Sequence, residues 1–342
     1  MKKQIVTIAA LAMSLNMFAQ QWPVPNQEAK PGTRWWWLGS AVTENDLKWN
    51  LRQFADHGIG AIEITPIYGV QGNEKNNIPF LSPRYMDILK YVNAECKADG
   101  IEFDMATGTG WPFGGPWVPL DESASQMLII DTTVVGKKIK ALDLRPIEKK
   151  RKNTTLVGIY AFSEGKFLKI TTPLVEGTLT TKLPSKGTWR IIALYQKKGV
   201  MAVKRAAPGG AGLVIDHFDK QAVTNYLKHI EEAFEKTGTP YPHTFFNDSY
   251  EVSESDYTPT LFQEFYNRRG YSLEENFDKL VDGDTKVVAD YRETLGDMLL
   301  DNFTRTWTAW AHSHGAITRN QAHGSPANLI DCYAAVDIPE IE

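Results

Sequence analysis

Apolar residues follow two rhythms along this chain, and the changes between them divide it into three parts. In the first part, short apolar runs alternate with stretches of helical period. Arg34-Trp35-Trp36-Trp37-Leu38 reads as a strand. Thr43, with Asp46 three residues on, has the spacing of a helix cap, and the helix runs to about His57 before Gly58. Ala61-Ile62-Glu63-Ile64-Thr65 reads as a second strand ending at Pro66. Ser82 or Pro83 opens a helix to Asp99, closed by Gly100, and residues 101–106 form a third strand. This alternation predicts right-handed βαβ units and a parallel sheet.

From about 125 to 203 the helical period disappears. Short β-rich runs split by Gly, Pro and charged residues predict an inserted all-β domain. The α/β rhythm resumes at Lys204. An amphipathic helix at 220–236 stops at Gly238, and a fourth strand opens at Thr244. A helical stretch at 257–270 precedes a long helix from about 285 to 314. Residues 316–320 form a fifth strand, and 336–342 read as the end of a sixth.

The expected architecture is α/β, a (β/α)8 TIM-type barrel formed by residues 20–124 and 204–342 around the β insertion at 125–203. A barrel closes with eight strands, and the pattern supplies five or six. On that reading the barrel is truncated, with two bare sheet edges and an apolar inner face. Poor solubility or low stability, and little or no catalysis, are expected to follow.

Composition narrows the class. The chain has 342 residues, 42 % hydrophobic and 11 % aromatic, with ten tryptophans, enough for a large core. Residues 1–19 read as a secretory signal: Lys2 and Lys3 precede an apolar run at 5–15, and Ala19 stands before Gln20. The formal charge of −4 becomes about −6 without those two lysines, which argues against nucleic acid as a partner. No other stretch is long and apolar enough for membrane insertion. Two cysteines, Cys96 and Cys332, make no disulfide framework. The loop at 107–115 lacks GxxxxGK[ST] and the third glycine of GxGxxG, which excludes nucleotide binding.

The candidate chemistry lies at strand ends, where barrel enzymes place their sites. There the sequence sets Trp37, Glu63, Tyr68, Asp104, Trp111, Asp248, Glu251, His323, Asn328, Asp331, Glu340 and Glu342. Carboxylates, amides and aromatic rings in one cleft suit a carbohydrate. Glycoside hydrolysis uses two carboxyl groups. Glu251 is the acid candidate, expected to have a pKa raised by aromatic neighbours, and Glu340 and Glu342 are the base candidates. The remaining nine are expected to line the substrate. His323 could hold a sugar hydroxyl or a metal, and no His/Cys spacing suggests zinc.

Arg34-Trp35-Trp36-Trp37, Thr107-Gly108-Thr109-Gly110-Trp111-Pro112 and Lys204-Arg205-Ala206-Ala207-Pro208-Gly209 resemble segments of glycoside hydrolase family 106, the bacterial α-L-rhamnosidases. So do Asn247-Asp248-Ser249-Tyr250-Glu251, His323-Gly324-Ser325-Pro326-Ala327-Asn328, Asp331-Cys332-Tyr333 and Asp337-Ile338-Pro339-Glu340. The resemblance implies removal of terminal α-L-rhamnose from plant polysaccharides or glycosides, with inversion through a glutamate pair. It places the acid on Glu251 and the base on Glu340 or Glu342. It also implies a calcium ion near the bound sugar, with no ligand assigned, and export to the periplasm or cell surface of a Gram-negative bacterium. The competing readings are a glycosidase for another sugar and a non-catalytic carbohydrate-binding or inactive remnant.

Overall fold

The computed structural model describes residues 25–341; the expected leader at 1–19 and the base candidate Glu342 lie outside the described residues. Strand β1 (Gly32–Leu38) leads to helix α1 (Glu44–Asp56), whose cap is Thr43 accepting from the Asp46 N–H. Strand β2 (Ala61–Ile67) leads to α2 (Pro83–Asp99). Ser82 caps its start, Pro83 takes the first turn, and Gly100 turns left-handed to end it. Strand β3 (Glu102–Ala106) and a short β4 (Gly114–Gly115) complete the first segment.

Six strands follow in the insertion: β5 (Ser125–Val135), β6 (Lys138–Asp143), β7 (Thr154–Ser163), β8 (Lys166–Ile170), β9 (Thr178–Lys182) and β10 (Thr188–Lys198). They form an antiparallel sheet in the order β5-β10-β7-β8, with β6 and β9 paired beside it. The central strands β7 and β10 bury side chains on both faces, and period-2 alternation decides what each face meets. Ile159, Ala161, Ile191, Ala193 and Tyr195 pack into a core local to the insertion. Tyr160, Phe162, Ile192 and Leu194 face the other way and join the main core.

The chain returns through β11 (Leu213–Val214), which pairs with β4, and enters α3 (Lys220–Thr237). This helix buries Val223, Tyr226, Leu227, Ile230 and Phe234, one face at helical spacing. Strand β12 (Thr244–Asn247) follows, then α4 (Leu261–Arg269), α5 (Phe277–Asp282) and α6 (Thr285–Met298). The predicted long helix continues from α6 into α7 (Arg305–Ser313) through a π-helical stretch at Leu299–Thr304. Strand β13 (Ile317–Asn320), α8 (Leu329–Ala334) and β14 (Ile338–Pro339) end the fold.

Strands β1-β2-β3-β12-β13-β14 form one sheet, parallel throughout. Among the described residues it is an open sheet of six strands, with β1 and β14 at its edges. Helices cover one face through a core that includes Trp37, Ile62, Ile64, Phe103, Met105 and Phe245.

The insertion is fastened to the α/β part by buried polar contacts. Ser125 Oγ donates to the Tyr257 carbonyl at 2.8 Å, and the Met127 N–H donates to Asp256 at 2.7 Å. Beside this junction lie Asp216 and His217, both buried. Burial pushes the Asp216 carboxyl up to about 7 from its ordinary 3.8, and pushes His217 down to about 3 from 6.5. The folded protein therefore keeps a proton on Asp216 over a range where the unfolded chain releases it. The contribution of this group to stability falls as pH rises from about 4 to 7. His217 acts in the opposite sense, losing stability as pH falls below about 6.5, so the two oppose each other in weak acid. Asp216→Asn should melt higher than the wild type at pH 8, and that advantage should shrink by pH 4.5, as followed by thermal unfolding. A difference in melting temperature independent of pH would contradict a carboxylate buried against its charge.

Candidate active site

Strand parity sorts the side chains of the parallel sheet. On β1, Trp35 and Trp37 face the helices: Trp35 meets Phe54 edge-on at 5.3 Å, and Trp37 meets Tyr85 at 6.3 Å. Trp37 is 1 % exposed, so it is a core residue, contrary to its expected place at the substrate. Arg34 and Trp36, one residue out of step, occupy the opposite face, with the guanidinium 5.2 Å from the Trp36 ring.

That opposite face is charged, contrary to the apolar inner face expected from sequence. Glu63 on β2 is buried, 3.0 Å from Arg34 Nε and paired through its other oxygen with Arg319 of β13. Thr65 donates a further hydrogen bond to it at 2.6 Å. Arg319 also lies 2.9 Å from Glu340 and 3.8 Å from Asp104 of β3. Phe246 of β12 sits among these charges, its ring 4.4 Å from the Arg34 guanidinium carbon and 5.0 Å from that of Arg319. Unpaired charges could not be buried here, because desolvation would cost several kcal/mol for each ion. Glu63 and Asp104 are therefore held in ion pairs.

Arg34 makes two more contacts, to Asp248 at 3.4 Å and to Glu340 at 3.6 Å. The second links the two edges of the sheet. Six flat strands would set those edges about 24 Å apart, so the sheet must curl strongly. Gly32, Thr33, Arg34, Glu63, Arg319 and Glu340 line a hollow of about 470 Å³ on its inner side. Sharing one guanidinium bounds the separation of Asp248 and Glu340 at about 9 Å.

The segment after β12 carries Glu251 and is tied at several points. Asn247 donates to Asn320 at 2.8 Å, the Ser249 N–H donates to Asp248 at 2.8 Å, and the Tyr250 N–H donates to the His323 carbonyl at 2.8 Å. Gly324 permits that last approach: its φ is +79°, and a Cβ there would collide with the Tyr250 carbonyl. Glu251 accepts from Lys204 Nζ at 2.6 Å. The ammonium holds the Glu251 carboxyl below its ordinary value, opposite to the raised pKa expected of it. Lys204 is positioned by a backbone bridge to Trp111, which is half-buried at the same rim.

The other expected site residues divide. Tyr68 is exposed at the end of β2 with the Arg205 guanidinium 5.5 Å from its ring. His323 is exposed and contributes its carbonyl to the Tyr250 contact. Asn328 caps α8 by accepting from the Ile330 N–H at 3.0 Å, so its side chain serves the helix. Asn328 and Asp331 line a separate groove of about 560 Å³ with Arg292 and Asp297, and none of the residues around Arg34 belongs to it. Arg34, Arg319, Phe246 and Lys204 were missed as site residues. Arg34 has the same parity as Trp36 on a strand whose alternate positions are apolar, the one signal that could have marked it.

Comparison with known proteins now decides the family. The sequence profile of the family described as alpha-L-rhamnosidase matches residues 23–155 and 148–339, nearly all of the described chain. The chain belongs to glycoside hydrolase family 106. The structure is similar to that of a rhamnosidase from Novosphingobium sp. PP1Y, with a TM-score of 0.68 at 15 % identity, over 91 % of this chain and 48 % of that one. At that identity the likeness concerns the fold. A curated relative, a putative beta-glucuronidase of Formosa agariphila, is 24 % identical over 367 aligned residues, 92 % of this chain and 31 % of that protein. The family 106 chain thus spans less than half the length of either of these two proteins.

Removing the Lys204 ammonium takes away the first cause that favours the charged form of Glu251. Lys204→Met should raise the Glu251 pKa, read from the pH titration of its side-chain carboxyl resonance. An unchanged or lowered value would show that the ion pair does not set this group.

Proposed function

We propose that this family 106 chain carries the sugar site of an exported glycoside hydrolase that removes terminal α-L-rhamnose with inversion. The observation that carries the reading is the convergence on Arg34 of β1 of carboxylates from the ends of two strands on the other side of the sheet, Asp248 after β12 and Glu340 after β14. The curled sheet is read as the larger part of a (β/α)8 barrel, whose chemistry would lie at this end.

In this reading Glu340 is the general base. Arg34 and Arg319 orient its oxygens toward the hollow, where a water would be activated. Glu251 protonates the leaving oxygen. Its contact with Lys204 favours the carboxylate, so the acid role requires that contact to loosen as the saccharide enters. The arginines and Phe246 fix the geometry, and Trp36 and Tyr68 offer faces to pyranose C–H groups. Glu342 remains a second base candidate by sequence alone. Calcium requires six to eight oxygen ligands. No group of three or more His, Cys, Asp or Glu side chains suited to an ion occurs among the described residues, and the inner carboxylates are occupied by guanidiniums. The described residues do not fit the ion, and no step is routed through it. Among the described residues no helix is long and apolar enough to cross a membrane.

Glu251→Gln and Glu340→Gln should each lower kcat on an aryl α-L-rhamnoside by roughly 10²–10⁴-fold, the usual contribution of a positioned acid or base, while both variants stay folded. The curated relative makes an aryl β-glucuronide the competing substrate. Hydrolysis of that compound in place of the rhamnoside would reassign the sugar, and full activity in both variants would remove these residues from the mechanism.

A further inference from the structure

The insertion at 125–203 carries fifteen Lys and Arg against five Asp and Glu, whereas residues 20–124 and 204–342 together carry twenty against thirty-six. The modest net charge of the chain thus conceals a basic module joined to an acidic body. Some of the insertion's charge is used within the fold: Arg145, Lys169, Arg190 and Lys198 meet carboxylates. Among the described residues Lys137, Lys138, Lys140, Lys182 and Lys186 form no ion pair, and all five are exposed.

The fold gathers these five lysines. Lys138 of β6 stands directly opposite Lys182 of β9. Lys138 and Lys140 flank the buried Ile139, and the Lys140 carbonyl accepts from Thr180 of β9 at 2.7 Å. The Leu183 N–H donates to the Lys137 carbonyl at 2.8 Å, and the Gly136 N–H donates to the carbonyl of Gly187, beside Lys186, at 2.9 Å. Like charges directly opposite each other destabilise a strand pair, so folding alone does not account for Lys138 facing Lys182. The layers of the insertion set the direction of this ribbon. Ile139, Leu179 and Leu183 pack with Ile159, Ile191 and Ala193 in the local core. The alternate residues of the same sheet, Tyr160, Ile192 and Leu194, join the main core. The β6–β9 ribbon therefore lies on the sheet face turned away from the acidic α/β part.

The composition of this face selects its partner. Its cations are all lysines, compact point charges on long flexible stems, without the planar fork that suits carboxylates. The aromatic rings of the insertion are buried, apart from the half-buried Phe167, so no open ring is offered for stacking on sugars or bases. An aliphatic side chain stands beside the lysines instead: Val135, two residues before Lys137, is 81 % exposed. Lysines around an exposed aliphatic group match a surface of anionic lipid headgroups.

We propose that the outer face of the β6–β9 ribbon docks on an anionic lipid surface. The five lysines meet headgroup phosphates, Val135 enters the boundary below them, and the acidic body is held away from the bilayer. This inference is independent of the sugar assigned to the active site.

The test is co-sedimentation of the intact chain with vesicles of phosphatidylcholine alone, and with vesicles containing about a third phosphatidylglycerol. The chain should sediment with the anionic vesicles, less so as salt rises, and stay in solution with the neutral ones. Each lysine near an anionic surface contributes about a five-fold gain in partitioning, so Lys138→Gln with Lys182→Gln should lower it on the order of 30-fold. Lys228→Gln with Lys236→Gln on α3 makes the same change in charge and should leave partitioning unaltered. No binding to anionic vesicles, equal binding to neutral ones, or equal loss in both double variants overturns the docking face. Binding of the parent to soluble polygalacturonate with none to anionic vesicles gives the face to a polysaccharide and overturns the lipid assignment. Thermal unfolding checks that the variants keep the fold. If Lys138→Gln with Lys182→Gln does not fold, Lys186→Gln in the adjoining turn decides, with about a five-fold loss expected and an unchanged partition overturning the proposal.

Discussion

The fold depends on pairing the charges that its inner face encloses. A parallel sheet covered by helices on one side needs side chains on the other, and here those are arginines and carboxylates. Arg34 and Arg319 flank the single ring of Phe246 and together reach Glu63, Asp104, Asp248 and Glu340. These residues come from β1, β2, β3, β12, β13 and the segment after β14, so one lattice of ion pairs touches every strand of the sheet. Glu63 and Asp104 are its buried members, and removing the partner of a buried charge typically costs about 3–5 kcal/mol. The same lattice holds Glu340 at the lining of the hollow, which joins stability to chemistry.

The carboxylate segment after β12 is controlled from outside the lattice. Its backbone is tied to the loop after β13 through Tyr250 and His323, and its terminal group is tied to Lys204 just beyond the insertion. The insertion thus does more than decorate the sheet. Tyr160 of β7 donates to Glu274 and packs near Phe277, and the main chain around Ser125 and Met127 grips Asp256 and Tyr257. Those contacts fix the stretch of chain that follows Glu251.

Much of the fold was legible because strands and helices carry different periods. The caps at Thr43 and Ser82 and the glycine stops at Gly100 and Gly238 stand where local chemistry put them. The site was less legible, for physical reasons. Three consecutive tryptophans hide the parity of β1, and only the three-dimensional fold shows that Trp36 and Arg34 share a face while Trp37 joins the core. The electrostatics of Glu251 depend on Lys204, 47 residues away, and local sequence carries no record of that distance. Asn328 precedes the apolar turn Leu329-Ile330, a cap signal that the sequence did carry. The charged inner face was missed because Arg34 lies inside a strand that otherwise reads as apolar, and its partners come from distant segments of the chain.

The claim that Arg34 joins the two edges of the sheet through Glu340 is tested most directly by a double-mutant cycle in denaturant unfolding, using Arg34→Met, Glu340→Gln and the pair. Contacting residues in one ion-pair network couple by about 0.5–3 kcal/mol, and a favourable coupling in that range is expected. Effects that add independently, with no coupling beyond experimental error, would contradict the account.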